Sequence, residues 1–189
     1  MDYKEIRKMR GNQLLVTNVI IFLGVLLFFT VAKITMISIS QYFVFLGILL
    51  AIRGIIGLVK GETTKSVIPI FEKIAVYEKG KMGSEWYKER KTNFIGNIMM
   101  GGFMFLQAYW NHSLSEQPFE LDVIFMITLL LFILLLINIA SVIRFRKIDR
   151  SINSSELKGY TRKSNLIGAV VGIIFGVIIA AVTIFLIVS

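Results

Sequence analysis

The chain has 189 residues, of which 56% are hydrophobic, and it carries a formal net charge of +9 with no cysteine. Its mean hydropathy of +0.74 lies well above that of an ordinary soluble domain. The lack of cysteine excludes disulfides, thiolate catalysis and cysteine metal sites.

Five apolar stretches predict five membrane spans. A helix needs about 20 apolar residues to cross roughly 30 Å of hydrocarbon at about 1.5 Å per residue. In chain order the stretches are residues 13–32, 36–59, 94–110, 121–143 and 166–188. The third is the shortest, and the fourth is the most continuously apolar. The sequence therefore predicts one all-α domain, a polytopic bundle of five transmembrane helices.

The distribution of positive charge predicts the orientation of this bundle. Of the 21 Lys and Arg residues, 19 lie in residues 1–12, 60–93 and 144–165, whereas the loop at 111–120 has none. Short loops rich in Lys and Arg stay in the cytoplasm, so the N-terminus is predicted inside and the C-terminus outside. If residues 94–110 did not span, the third basic stretch would lie outside. The net charge thus has a topological explanation, and we expect no nucleic-acid ligand.

The first apolar stretch has an alternative interpretation as a signal peptide. Lys4–Arg10 resembles a basic leader region, and Thr30, Val31 and Ala32 form an acceptable cleavage site. The apolar run is longer than in an ordinary leader, however, and Lys33 follows directly. We therefore expect it to be retained; cleavage would leave four spans. The Lys, Ile, Phe and Asn content fits a bacterial cytoplasmic membrane.

The inner loop at 60–93 contains a predicted amphipathic helix. Pro69 falls in its first turn, where a missing N–H is harmless, and Ile70, Ile74 and Tyr77 share one face. Gly80 and Gly83 are expected to end it, and Ser84 to cap the next helix. Such a helix covers the chain's own surface, lies at the headgroup boundary or docks a partner. The basic loops 60–93 and 144–165 should attract anionic lipid headgroups.

A short repeat occurs in two of the basic stretches. GSEWYKERKTNFIG aligns with SELKGYTRKSNLIG after a one-residue length change. Each copy has Ser-Glu near its start and ends at a span entrance. Convergence explains the basic and apolar residues, whereas a duplicated two-helix unit also explains the matching Asn and Gly. The shared positions are Arg90, Lys91, Asn93 and Gly96 in one copy and Arg162, Lys163, Asn165 and Gly168 in the other.

Small residues recur every four positions in the fifth stretch, a pattern typical of close helix–helix packing in lipid. This ladder consists of Gly168, Gly172, Gly176 and Ala180. Its partner is either another helix of the chain or a second protein. Gly101–Gly102 and the pair Gly57 and Gly61 are weaker versions of the same pattern.

Few polar residues fall within the predicted spans. Arg53 is the ionisable exception, and it is either an interfacial anchor or a contact for an anion or lipid phosphate. Neutral polar side chains in hydrocarbon favour interhelical hydrogen bonds, although a solute path is the alternative. The candidates for either role are Asn18, Gln41, Asn97, Gln107 and Asn138.

The motifs of several enzyme classes are missing from the sequence. There is no Walker loop, no H-E-x-x-H, and no acidic pair at span depth, and His112 is the single histidine. We therefore expect neither catalysis, nor a metal, nor a cofactor. The favoured function is a non-enzymatic subunit of a membrane assembly, or a homo-oligomer, whose partner is a membrane protein or a second copy. The alternatives are a small transporter or channel and, less favoured, a lipid-binding protein at the inner leaflet.

Overall fold

The computed structural model describes residues 2–35, 37–112 and 123–172 as an all-α protein. Residues 160–172 are helical and are called α6 below. The other elements in chain order are α1 (Tyr3–Thr35), α2 (Ile39–Lys60), α3 (Pro69–Met82), α4 (Ser84–Trp110), α5 (Val123–Arg150) and a short 3₁₀ turn (Ser154–Leu157).

Two of these helices, by length and composition, are able to cross a membrane. They are Tyr3–Val31 within α1 and Ile39–Lys60, which is α2. The first lies near the N-terminus, where a signal sequence has the same properties. The predicted stretch 94–110 lies inside α4, and 123–143 lies inside α5. Of the fifth stretch, 166–172 is helical, and 173–188 lies outside the described residues.

The start of α2 is fixed by a reciprocal cap. Ser38 Oγ accepts the N–H of Gln41 at 3.4 Å, and Gln41 Oε1 accepts the N–H of Ser38 at 3.1 Å. This capping box satisfies two backbone donors that the first turn of a helix leaves without partners. The capping box therefore starts α2 as a new helix only a few residues after the end of α1.

The predicted helix within residues 60–93 is confirmed, but its boundaries differ from the prediction. α3 begins at Pro69, continues through Gly80 and ends at Met82. Gly83 has a φ of 56°, a conformation that favours glycine. The prediction that Ser84 caps the next helix is wrong, because Ser84 is already the first residue of α4 and Gly83 is the cap, without a side-chain hydrogen bond.

Helices α2 and α4 form the closest helix pair in the described structure. They run antiparallel, since Gly47 lies against Phe105 and Gly101, whereas Gly54 and Gly57 lie against Phe94. A Cβ atom added to Gly101 would lie 2.9 Å from the carbonyl oxygen of Gly47. The missing side chains therefore allow two backbones to touch, as in membrane helix pairs of the small-residue type.

A small apolar core lies where α3, α4, α5 and the 3₁₀ turn meet. Its buried members are Met82, Trp86, Ile148 and Leu157. These residues belong to the basic stretches 60–93 and 144–165, and Arg10 of the first basic stretch contacts Glu78 and Asp149 nearby. We call this region the basic end of the molecule. α3 lies on the chain's own surface there, with Ile74 and Met82 buried, which is one of the three locations expected for it.

Candidate functional site

Five charged side chains from four helices meet at the basic end and are called the ionic cluster below. The cluster combines two guanidinium groups with three carboxylates, which gives it a formal charge of −1. Its members are Arg10 of α1, Glu78 of α3, Glu89 of α4, and Arg144 and Asp149 of α5.

Arg10 joins α1 to two other helices. Its Nη1 donates to Glu78 Oε1 at 2.7 Å and to Gln13 Oε1 at 3.0 Å. Its Nη2 and Nε donate to the two oxygens of Asp149 at 2.7 and 3.0 Å. The guanidinium carbon also lies 4.3 Å from the ring centre of Phe145. Every face of this guanidinium is therefore occupied by a carboxylate, an amide or a ring, which suits the planar fork of arginine.

Arg144 makes two bidentate contacts. Its Nη1 and Nη2 each donate to Glu78 at 2.7 Å, and its Nε and Nη2 donate to Glu89 at 2.8 and 3.0 Å. Glu78 therefore lies between the two arginines, and its Oε1 accepts from both. Charge-assisted bidentate hydrogen bonds of this length are among the strongest in proteins.

The centre of the cluster is buried, and burial competes with the ion pairs in setting the pKa values of its groups. The side chains of Arg10 and Glu78 are 7% and 5% exposed. Burial alone would raise the pKa of Glu78, but hydrogen bonds from Arg144 and the charges of both arginines outweigh it and hold that pKa below its ordinary value. For Arg10 and Arg144, burial acts to lower the pKa, and the carboxylates reverse the effect so that both pKa values are raised. Arg10, Glu78 and Arg144 are thus charged at neutral pH.

Tyr77 borders the cluster and is affected by it. Burial, followed by the negative charge of Asp149, raises the pKa of Tyr77 to about 12. The ring of Tyr77 lies 5.5 Å from the guanidinium carbon of Arg10. Tyr77 is therefore a neutral phenol that covers one side of the cluster.

Sequence reasoning did not predict this cluster, although one signal for it exists. Ile74, Glu78 and Met82 are spaced by four, so they share one helical face, and all three are buried. A carboxylate on the buried face of an amphipathic helix requires a cationic partner. The partners Arg10 and Arg144 are distant in sequence and resemble ordinary topogenic charge, so the sequence does not identify them.

The two repeat copies meet at a second contact. Glu85 of the first copy is buried, and its Oε2 accepts the backbone N–H of Thr161 in the second copy at 3.3 Å. Thr161 Oγ1 donates in return to the Glu85 carbonyl oxygen at 3.3 Å. Glu85 thus binds an N–H in the first turn of α6, a position that favours a carboxylate. Lys88 Nζ, which donates to Glu85 Oε1 at 2.8 Å, contributes most to lowering the pKa of Glu85 to about 2, against the opposing effect of burial.

The shared positions of the repeat have similar surroundings with one difference. Arg90 is half-buried, lies 4.5 Å from the ring centre of Trp86 and donates to the carbonyl oxygen of Thr63, whereas Arg162 is exposed. The remaining pairs are exposed in both copies, namely Lys91 and Lys163, Asn93 and Asn165, and Gly96 and Gly168. Convergence and duplication both remain compatible with this arrangement.

The polar residues of the predicted spans do not gather at one site, and most of them make local contacts. Asn18 and Asn138 exchange hydrogen bonds of 3.2 and 3.0 Å between α1 and α5. Gln41 belongs to the capping box of α2, and Gln107 accepts from Asn111 at the end of α4. Asn97 is half-buried on α4, and Arg53 is exposed on α2. The structure therefore brings Asn18 and Asn138 together but not the other candidates.

The described part of the small-residue ladder lies in open space. A Cβ atom on Gly168 or Gly172 would meet nothing within 4 Å. Gly176 and Ala180 lie outside the described residues. The partner of this ladder stays a prediction. Of the two weaker glycine pairs, Gly57 and Gly101 lie in the α2–α4 contact, whereas Gly61 and Gly102 face open space.

Comparison of the chain with protein-family models, curated proteins and solved structures gives no match. Within the described ranges, no group of three or more His, Asp or Glu side chains is arranged to hold a metal ion. What the basic end can do must therefore be inferred from its own contacts. These are ion pairs between oppositely charged side chains, and they hold the helices together.

Proposed function

We propose that the chain is a multipass membrane protein of five spans, N-in and C-out, that acts without catalysis as an accessory subunit or as a homo-oligomer. The ionic cluster is the observation that carries the membrane arrangement. Its members come from all three basic stretches, residues 1–12, 60–93 and 144–165. Side chains in direct contact must lie on one side of a membrane. An even number of spans between successive stretches satisfies this condition.

The same cluster supports retention of the first apolar stretch. Arg10 precedes the possible cleavage site at Ala32, and it forms ion pairs with Glu78 and Asp149. Cleavage would remove Arg10 and leave two of the three carboxylates with fewer partners. Uncompensated buried charge is costly, so a protein built around Arg10 should keep α1.

The interaction role is supported by the surface of the helices. No residue in the most apolar part of α1 is buried within the described structure. Large apolar side chains are exposed on α4 and α5 as well, among them Met99, Phe103 and Leu135. In a membrane, such surface contacts either lipid or another protein. The open faces of Gly168 and Gly172 permit a second helix to approach.

The pairing of polar groups favours this role over transport. Asn18 and Asn138 satisfy each other, and Gln41 and Gln107 are engaged at helix ends. A solute path needs polar groups that face a common space. Asn18 and Asn138 serve helix packing instead, and Gln41 and Gln107 serve the helix ends.

The test is purification of the tagged full-length protein from native membrane in a mild detergent. We expect a stoichiometric membrane partner or a homo-oligomer. Gly172→Leu should weaken that association, whereas the control Gly24→Leu, at another position with open space around it, should not. A monomer without partners that also conducts solute in proteoliposomes would contradict the proposal in favour of the transporter alternative.

The membrane arrangement has its own test. Because the chain has no cysteine, a single introduced cysteine reports on which side of the membrane its own position lies. A membrane-impermeant maleimide should label His112→Cys from outside, and should label Lys65→Cys and Lys158→Cys only after permeabilisation. An intact mass of 21.4 kDa would establish that α1 is retained, and a mass lacking the first 32 residues would refute it.

A further inference from the structure

An open groove of about 430 Å³ lies at the end of α5, beside the ionic cluster, and is called the basic groove below. Four of its lining residues are spaced at i, i+3, i+4 and i+7, so they form one face of α5. Ser151 and Glu156 close its far side. The face consists of Ile143, Arg146, Lys147 and Arg150.

The cations of the groove have no acidic partner among the residues that the structure describes. Arg146, Lys147 and Arg150 are exposed, whereas Arg144 on another face of α5 and Arg10 on α1 form ion pairs. Glu156, the acid in the groove, accepts the backbone N–H of Ile152 at 3.2 Å. The groove therefore carries a formal charge of +2 beside a cluster whose charges are nearly balanced.

A second groove of about 530 Å³ provides a useful contrast. It lies on α3, and its lining includes one carboxylate and one ammonium group, those of Glu72 and Lys73. Its charges are balanced, so it offers no preference for an anion. The basic groove, unlike the groove on α3, therefore has an excess of cations.

We propose that the basic groove binds a phosphate group, and that the phosphate belongs to an anionic phospholipid. Two guanidinium groups and an ammonium group on one helical face suit the oxygens of a phosphate diester. Ile143 lies at the end of the groove nearest the predicted span, where an acyl chain would begin. The assignment of the phosphate to a lipid rests on the proposed membrane arrangement. The proposal that the groove binds a phosphate group does not.

The experiment compares two variants of equal charge in the full-length protein. Arg146→Gln/Arg150→Gln removes two arginines from the groove. Arg7→Gln/Arg162→Gln removes two exposed arginines elsewhere and is the matched control. Retention of phosphatidylglycerol in detergent is measured by native mass spectrometry, with phosphatidylcholine as the neutral reference lipid.

We expect the groove variant to lose about thirtyfold in affinity for phosphatidylglycerol, because each arginine removed should cost about fivefold. The control should stay within about threefold of the unchanged protein. Equal losses in both variants would overturn the proposal, because they would indicate diffuse attraction. No loss in either variant would overturn it as well.

A competition experiment distinguishes a phospholipid from a soluble phosphate as the ligand of the groove. Inorganic phosphate that displaces phosphatidylglycerol, at an ionic strength matched with chloride, would assign the groove to a soluble phosphate and overturn the lipid source. Failure to displace it supports the lipid source. The maleimide labelling described above is independent of this result, so a wrong membrane arrangement and an empty groove give different outcomes.

Discussion

Glu78 and Arg144 face each other through two parallel hydrogen bonds, both 2.7 Å long. The Glu78 oxygen that accepts from Arg144 Nη1 also accepts from Arg10 at 2.7 Å. One carboxylate of α3 thereby joins α1 to α5. In a chain whose helices expose so much apolar surface, this polar contact fixes how the helix ends are arranged.

Replacing Glu78 with Gln should destabilise the protein by about 3 kcal/mol. The substitution keeps the shape but removes the charge that compensates the buried guanidinium of Arg10 and the half-buried guanidinium of Arg144. Breaking buried pairs typically costs about 3–5 kcal/mol. The matched control is Glu62→Gln. Its partner Lys79 lies 3.3 Å away with both side chains largely exposed, so the change should be within about 0.5 kcal/mol. Thermal or denaturant unfolding in detergent measures both, and equal effects would contradict a stabilising role for the cluster.

Acid should weaken the basic end before it affects the helices themselves. The pKa of Glu85 is lowered to about 2 in the folded protein, and the pKa of Glu78 is also lowered. A carboxylate with a depressed pKa contributes stability that is fully present above its unfolded pKa, about 4.3, and is lost as pH falls through the folded pKa. We therefore expect stability to fall between about pH 4.3 and pH 2.

The variant Glu85→Gln separates this effect from general acid denaturation. It lacks one of the titrating groups, so its unfolding midpoint should depend less steeply on pH over that range. Its stability at neutral pH should already be reduced, since Thr161 loses a charged acceptor at the start of α6. An unchanged slope would mean that Glu85 does not contribute to the acid response.

The sequence predicts the helices well because their signals are local. Hydrophobic length predicts α1 and α2, and the combination of Pro69 with Ile74 and Tyr77 predicts α3. The ionic cluster, in contrast, joins residues that are far apart in the sequence. Arg10 and Asp149 are 139 positions apart, and no periodicity in either helix records their contact. The sequence does indicate that Asn18 and Asn138 prefer polar partners, but it does not identify them as partners of each other.

Glycine spacing illustrates the same limit. The regular ladder at Gly168 and Gly172 was the most visible pattern, yet the described contacts between backbones occur at Gly47, Gly54 and Gly101. Gly47 and Gly54 lie seven residues apart on α2, and Gly101 lies on α4, so none of the three is four residues from another. When two helices each contribute glycines to one contact, the contact can be recognised only after it is known which residues of the two helices lie opposite each other.

The register of α2 and α4 leads to a test on two adjacent residues. A Cβ atom on Gly101 would lie 2.9 Å from the Gly47 carbonyl oxygen and 3.2 Å from the Ala51 nitrogen, whereas a Cβ atom on Gly102 would meet nothing within 4 Å. Gly101→Ala should therefore destabilise the pair by about 1–3 kcal/mol. Gly102→Ala should be neutral or stabilise by up to about 1 kcal/mol, since alanine favours helix. Similar effects of the two substitutions on thermal unfolding would mean that the backbones are not in contact.

The amide pair between α1 and α5 is suited to a double-mutant cycle. Asn18 and Asn138 donate to each other at 3.2 and 3.0 Å, and Asn138 also donates to the Leu134 carbonyl oxygen at 2.7 Å. Each single change to Ala should cost about 0.6–2 kcal/mol, because it leaves the other amide with fewer partners in an apolar setting. The double change should cost less than the sum, with a coupling of about 0.5–2 kcal/mol. Asn97→Ala paired with Asn18→Ala serves as the control, since the structure does not bring those two side chains together. Additive effects within the Asn18 and Asn138 cycle would show that α1 does not depend on this contact for its position beside α5.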